Sequence, residues 1–155
     1  MFNRLTVEYL INNFCKFILK ITSFLRTMLT FFENDYAEYR YLDRILFITY
    51  KDGTSIDLEA AVRIVKDRLI LHEGQSFPIL CDIRGIKEIN KSARDYLSIE
   101  GSVLVKAVAF IIKDPVSEML SKFYLQTRKP IIPTQSFEHI EDALIFLNGF
   151  AESAP

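Results

Sequence analysis

The residues best suited to chemistry crowd into one stretch, residues 82–94, which reads DIRGIKEINKSAR. Asp82 supplies a carboxylate. Arg84 supplies a guanidinium able to grip a carboxylate in a two-pronged hold. Lys87, Lys91 and Arg94 add three more cations within ten residues of Arg84. Cations gathered at a helix start can take an acidic partner surface or an anion. The plainer reading is a solvated helix start, partly neutralised by Glu88 and Asp95. Gly85 permits close backbone approach or a positive φ. Asp82 follows an apolar run, where many α/β enzymes keep an acid or base. Here no His, Cys or second carboxylate is placed to work with it, so the expected role is structural, holding Arg84 and the loop.

The remaining motif space excludes more than it offers. Neither G-x-x-x-x-G-K-[ST] nor G-x-G-x-x-G occurs among the five glycines, so no phosphate-cradling loop is expected. No nucleophile elbow supports Ser-His-Asp chemistry. His72 and His139 fall at expected surface ends of helices and lack metal-ligand spacing, so no metal and no cofactor are expected. No catalytic residue is assigned. A net charge of −1 gives no electrostatic case for nucleic acid. The charge is uneven, however: residues 1–32 carry +3 and the rest −4. Cys15 and Cys81 make no disulfide framework, and this usage fits a reducing cytoplasm.

These residues need elements to hold them. Residues 77–81, FPILC, read as a buried strand that opens into the loop at Asp82, and a helix restarts after Asn90. Ligands and partners of open α/β sheets gather at such strand ends. Upstream, residues 36–42 and 44–51 read as two strands joined by a tight turn at Leu42-Asp43. Asp57 caps a helix with a buried stripe of Leu58, Ala61, Val62, Val65 and Leu69, and Gly74 ends it. Arg63, Lys66, Asp67 and Glu73 are its expected water-facing side. Downstream, a helix over 91–99 stops at Glu100-Gly101-Ser102. Residues 103–112, VLVKAVAFII, suit a central strand buried on both faces. Lys106 in that run is expected to snorkel or lie at the strand's edge. Asp114-Pro115 starts a helix buried through Val116, Met119, Leu120, Phe123 and Tyr124, and Arg128-Lys129-Pro130 ends it. Residues 131–137 read as an edge strand. The last helix, over 138–147, packs through Ile140, Ala143, Leu144 and Leu147, with Gly149 as its stop. The order is helix, then β-β-α-β-α-β-α-β-α, which implies a mostly parallel sheet covered by helices.

Residues 5–32 form a separate problem. Apolar residues recur at helical spacing from Val7 to Phe32, opposite a stripe that includes Glu8, Lys16 and Lys20. The expectation is an amphipathic helix that covers the domain, pairs with a second copy, or lies on a membrane surface. Lys16 and Lys20 break any signal-peptide core, and no run is long and apolar enough to span a bilayer. Met28 is an alternative start, which would make residues 1–27 an upstream extension. The expected organisation is thus 1–33 helix, 34–150 α/β domain, 151–155 frayed tail.

The element order and the 82–94 motif together resemble the STAS domain, the fold of bacterial anti-sigma-factor antagonists. That family writes roughly D-L-S-G-V-x-x-I-D-S-S-G-L here, and Asp82, Gly85, Ile86 and Ile89 match in kind. Asn90 stands where the family has a capping Asp. The likeness is closer to an uncharacterised Bacteroidetes branch of STAS-like proteins, through Asp82-Ile83-Arg84-Gly85, Ser92-Ala93-Arg94 and Lys129-Pro130. The resemblance implies an α/β, STAS-like domain with a central mixed, mostly parallel sheet of about five strands covered by helices, preceded by the extra amphipathic helix. The family's usual phosphorylated serine is Lys91 here. Ser92, the neighbouring serine, remains, and a phosphate there would meet a helix N-terminus.

The functional expectation is a non-catalytic protein-interaction or regulatory module. Its partner face would be residues 84–96, with Arg84, Lys87, Lys91 and Arg94 as the contacting cations. The alternative is a small apolar-ligand or lipid-binding domain, cytoplasmic and held peripherally at the inner membrane through residues 5–32. A protein partner is expected, with a homodimer as one form of it.

Overall fold

A computed structural model of the chain describes residues 4–29, 31–127 and 132–151. The segment Arg128-Lys129-Pro130, expected to end a helix, lies outside the described residues. Element order is α1 (Arg4–Leu29), β1 (Phe31–Glu33), β2 (Ala37–Leu42), β3 (Ile45–Tyr50), β4 (Thr54–Ile56), α2 (Leu58–His72), β5 (Phe77–Asp82), β6 (Ile86–Ile89), α3 (Lys91–Ile99), β7 (Val105–Ile111), α4 (Pro115–Thr127), β8 (Thr134–Phe137) and α5 (Ile140–Ala151).

Six strands form one mixed sheet in the order β1-β2-β3-β5-β7-β8. The first three are antiparallel neighbours. From β3 onward every pairing is parallel. Helices cross between parallel strands, as short hairpin turns cannot. This is the α/β architecture expected, a mixed central sheet under helices. Its two faces are both apolar, which is why β3 and β7 read as continuous hydrophobic runs. Ile45, Leu80, Ala107, Ala109 and Ile111 pack on α5 through Ala143, Leu147 and Ala151. Tyr39, Leu46, Ile48, Tyr50, Ile79 and Cys81 face the other way, toward Ala60, Ala61 and Ile64 of α2 and Ala93 of α3. Leu120 of α4 packs on this second core.

Several expectations are corrected. The N-terminal helix stops at Leu29, and Phe31 and Phe32 enter β1 instead, paired with Arg40 and Tyr39 of β2. Residues 54–56, given no element from sequence, and residues 86–89, expected as loop, form β4 and β6. They pair with each other in parallel, outside the main sheet. The buried face of α2 is rotated: Leu58 and Val62 are exposed, whereas Asp67, Arg68 and His72 are buried. Asp67 was expected to face water. It accepts from Arg63 Nε at 2.8 Å and from Asn34 Nδ2 at 2.8 Å, so its charge is matched where it is buried. In α4, Val116, Met119 and Phe123 are exposed, and Ser117 and Ser121 are buried in their place. Helix α5 runs through Gly149 to Ala151, and Ile140 is exposed. Lys106 is half-buried as the second residue of β7.

The caps are where they were expected. Asp57 accepts from Ala60 N at 2.9 Å, Asn90 from Ala93 N at 2.9 Å, and Asp114 from Ser117 N at 2.8 Å. Each satisfies a donor that the first helical turn leaves unpaired.

Candidate functional site

The 82–94 stretch is built from three local devices. Asp82 ends β5, and Arg84 folds straight back on it. Arg84 Nε donates to Oδ1 at 2.8 Å and Nη2 to Oδ2 at 2.6 Å. This bidentate pair closes the loop within itself. Gly85 then passes so close to β3 that a Cβ would lie 2.3 Å from Tyr50 O and 2.7 Å from Lys51 O. Only glycine fits that approach. The Gly85 carbonyl accepts from Thr54 N at 3.1 Å, which starts the β4–β6 pairing. Asn90 finally opens α3, and its Oδ1 also accepts from Ser92 Oγ at 2.9 Å.

The four candidate cations therefore separate. Arg84 is committed to Asp82. Arg94 turns inward: Nη1 donates to Ile89 O at 2.6 Å, and the guanidinium lies 4.4 Å from the centroid of the Phe123 ring on α4. It ties β6, α3 and α4 together. Lys91 is exposed and pairs with Asp95 at 3.0 Å, an exposed i,i+4 contact worth about 0.5 kcal/mol or less. Lys87 is exposed. Ser92 is exposed at the first turn of α3. Lys87, Lys91 and Ser92 thus make the outward part of the stretch. His139 is exposed, as expected. No group of three or more His, Cys, Asp or Glu residues among the described residues could hold a metal ion.

Beneath this stretch lies a feature that the linear reading missed. A cavity of about 110 Å³ separates the sheet from α2, α3 and α4. Ile48, Ile64, Ile79, Ile86, Leu97 and Phe110 supply much of its apolar wall. Ile86, Ile89, Arg94 and Leu97, from the stretch itself or the helix it opens, also line it. The polar lining groups are Arg68, Tyr50, Tyr124, Ser121, Arg94 and the Cys81 thiol.

Arg68 is 2 % exposed, yet it has no carboxylate partner among the described residues. Its Nη1 donates to Val103 O at 3.0 Å and to His72 Nε2 at 2.9 Å. Its Nη2 reaches Glu100 O and Gly101 O, both at 3.4 Å. All four acceptors are uncharged. Burial pulls the Arg68 guanidinium below its usual pKa. His72 was expected at the surface but is 1 % exposed. Its Nδ1 faces Gln75 O at 2.8 Å, so Nδ1 carries the proton and Nε2 accepts from Arg68. Burial, with the neighbouring guanidinium, pushes its pKa down to about 4, although the Gln75 hydrogen bond works the other way. Burial also pushes the Cys81 thiol up to about 12, so it is an inert thiol at neutral pH.

One sequence signal pointed to this site. Ala61, Ile64, Arg68 and His72 recur at helical spacing, which puts a cation on the same face as the apolar positions.

At the other end of the chain, α1 exposes Leu10, Ile11, Phe14, Phe17, Ile18 and Leu19. No helix among the described residues is long and apolar enough to cross a membrane.

No curated protein matches the chain. Among solved structures, it is similar to an uncharacterised protein of the DUF3478 family with a SpoIIAA-like fold from Shewanella loihica PV-4. The identity is 16%, the match covers 76% of this chain and 90% of that one, and the TM-score is 0.48. The family model for DUF7793, a domain of unknown function, matches residues 39–151. That span runs from β2 to the end of α5 and carries both the 82–94 stretch and the cavity, and the chain belongs to the DUF7793 family.

Proposed function

We propose that this domain is a non-catalytic regulatory module. A small, largely apolar ligand in the cavity between the sheet and α2, α3 and α4 sets how residues 84–96 meet a protein partner. The observation that carries this reading is the shared wall. Ile86, Ile89, Arg94 and Leu97 line the cavity, and the same segment carries Lys87, Lys91 and Ser92 on its outer side. A ligand pressing on that wall would act on α3 and on the Arg94–Phe123 contact together. Its effect on the partner is then a differential affinity for two α3 positions.

The test is native mass spectrometry on the full chain purified gently from its own host, followed by denaturing mass on the same sample. The expected result is a small-molecule mass that is lost on denaturation, and a partner complex that the Lys87→Glu, Lys91→Glu double variant no longer forms. A bare chain with no bound mass and no partner overturns the reading. A retained mass increase of one phosphate at Ser92 would place the switch on the outer face instead.

A second reading is favoured by α1, whose exposed apolar side chains accompany Lys16 and Lys20. We propose that this helix rests on anionic membrane surface, with the α/β domain carried peripherally. Flotation with anionic liposomes, with and without residues 1–27, tests it. Equal flotation of both forms, or of neither, overturns it.

A further inference from the structure

We propose that the cavity under α2, α3 and α4 is a site for a small carboxylate anion with a short apolar tail, held by Arg68 and the Tyr50 hydroxyl. The proposal rests on the ligand-binding reading above and names its ligand class.

Two polar groups of the cavity wall carry it. The first is Arg68. A guanidinium taken out of water calls for a counter-charge, and here every hydrogen-bond acceptor is a neutral carbonyl or an imidazole nitrogen. All four bonds leave from Nη1 and Nη2, and none of the described residues accepts from Nε. The second is Tyr50, 9 % exposed, which lines the same cavity as Arg68 and offers a hydroxyl donor there.

The rest of the cavity sets the ligand's other end. Arg94, the second cation on the wall, is already occupied by Ile89 O and the Phe123 ring. Arg68, whose acceptors are all neutral, is then the one cation of the wall with neither an aromatic face nor a carboxylate against it among the described residues, which suits a single negative charge better than a phosphate dianion. The aliphatic wall from Ile48, Ile64, Ile79 and Leu97 favours a hydrocarbon tail. An apolar cavity of about 150 Å³ takes benzene, so about 110 Å³ suits a ligand of up to about six non-hydrogen atoms. A carboxylate of up to about four carbons, the carboxyl carbon included, meets both limits.

The probes are sodium butanoate and its neutral counterpart 1-butanol, titrated into the full chain at pH 7.5 by calorimetry and by amide chemical shifts. Butanoate is expected to bind at least about tenfold more tightly than butanol, because a hydrogen bond to a charged group is stronger than a neutral one. Arg68→Met should weaken butanoate by about 30-fold and leave butanol unchanged. Tyr50→Phe should weaken butanoate by about fivefold, again sparing butanol. Should Arg68→Met fail to fold, Tyr50→Phe decides. Butanol binding as well as butanoate overturns the carboxylate assignment and leaves the apolar-ligand reading standing. Butanoate binding that neither variant changes puts the anion elsewhere and overturns it too. Absence of binding by both probes overturns this proposal together with the reading it rests on.

Discussion

At the scale of single residues, His72 carries the clearest pH dependence. Its folded pKa of about 4 lies below the ordinary value of 6.5, so the unfolded chain binds more protons between these limits. Stability is therefore full above pH 6.5 and is lost as pH falls toward 4. The whole shift corresponds to roughly 3 kcal/mol, of which about 1 kcal/mol is gone by pH 5.5, before most carboxylates titrate. Urea unfolding at pH 7.5 and 5.5 checks this. His72→Gln, which keeps an acceptor for Arg68, should flatten most of that difference. Gly85 has a steric reason instead. A Cβ 2.3 Å from a backbone carbonyl oxygen cannot be relieved by turning a side chain, so Gly85→Ala should cost about 3 kcal/mol and loosen the β4–β6 pairing. Thermal unfolding would show it, and an unchanged midpoint would refute the close approach. Asn90→Ala removes the α3 cap and should cost about 1 kcal/mol by the same assay, whereas Asn90→Asp should cost little.

At the scale of elements, the β2–β3 hairpin is a place where the backbone asks for a residue that the chain does not supply. Asp43 and Arg44 both have positive φ, 50° and 65°, as the two central residues of a tight hairpin turn. Aspartate tolerates that region better than arginine. Arg44→Gly should therefore stabilise the domain by about 0.5–1 kcal/mol, seen as a higher urea midpoint with an unchanged slope. Helix α1 makes few contacts with the rest of the chain beyond β1. Removing residues 1–27 should leave the unfolding midpoint of the α/β domain within about 0.5 kcal/mol, since stability that rests on packing is lost only with packing. A large loss would mean that α1 docks on the domain, and its exposed apolar residues would then need another account.

At the scale of the whole molecule, much of the architecture was written in local signals. Asp57, Asn90 and the Asp114-Pro115 pair marked helix starts because capping is satisfied within four residues. The continuous apolar runs of β3, β5 and β7 marked strands covered on both faces. Elements whose existence depends on distant partners were not legible. Strands β4 and β6 are three and four residues long, and each is a strand only because the other lies beside it. Strand β1 exists because β2 offers an edge, which cut short the helical pattern that ran on to Phe32. The faces of α2 and α4 were rotated for the same reason: Ser117 and Ser121 are buried because small side chains fit where α4 meets its neighbours. The chain by itself determined the layers, the caps and the loop that Asp82 and Arg84 close, since these follow from neighbours in sequence. Only the tertiary structure decided that Tyr50 and Arg68, 18 positions apart, line one cavity, with His72 buried against Arg68. Burial and the lack of a nearby carboxylate are properties of packing, and no local spacing encodes them.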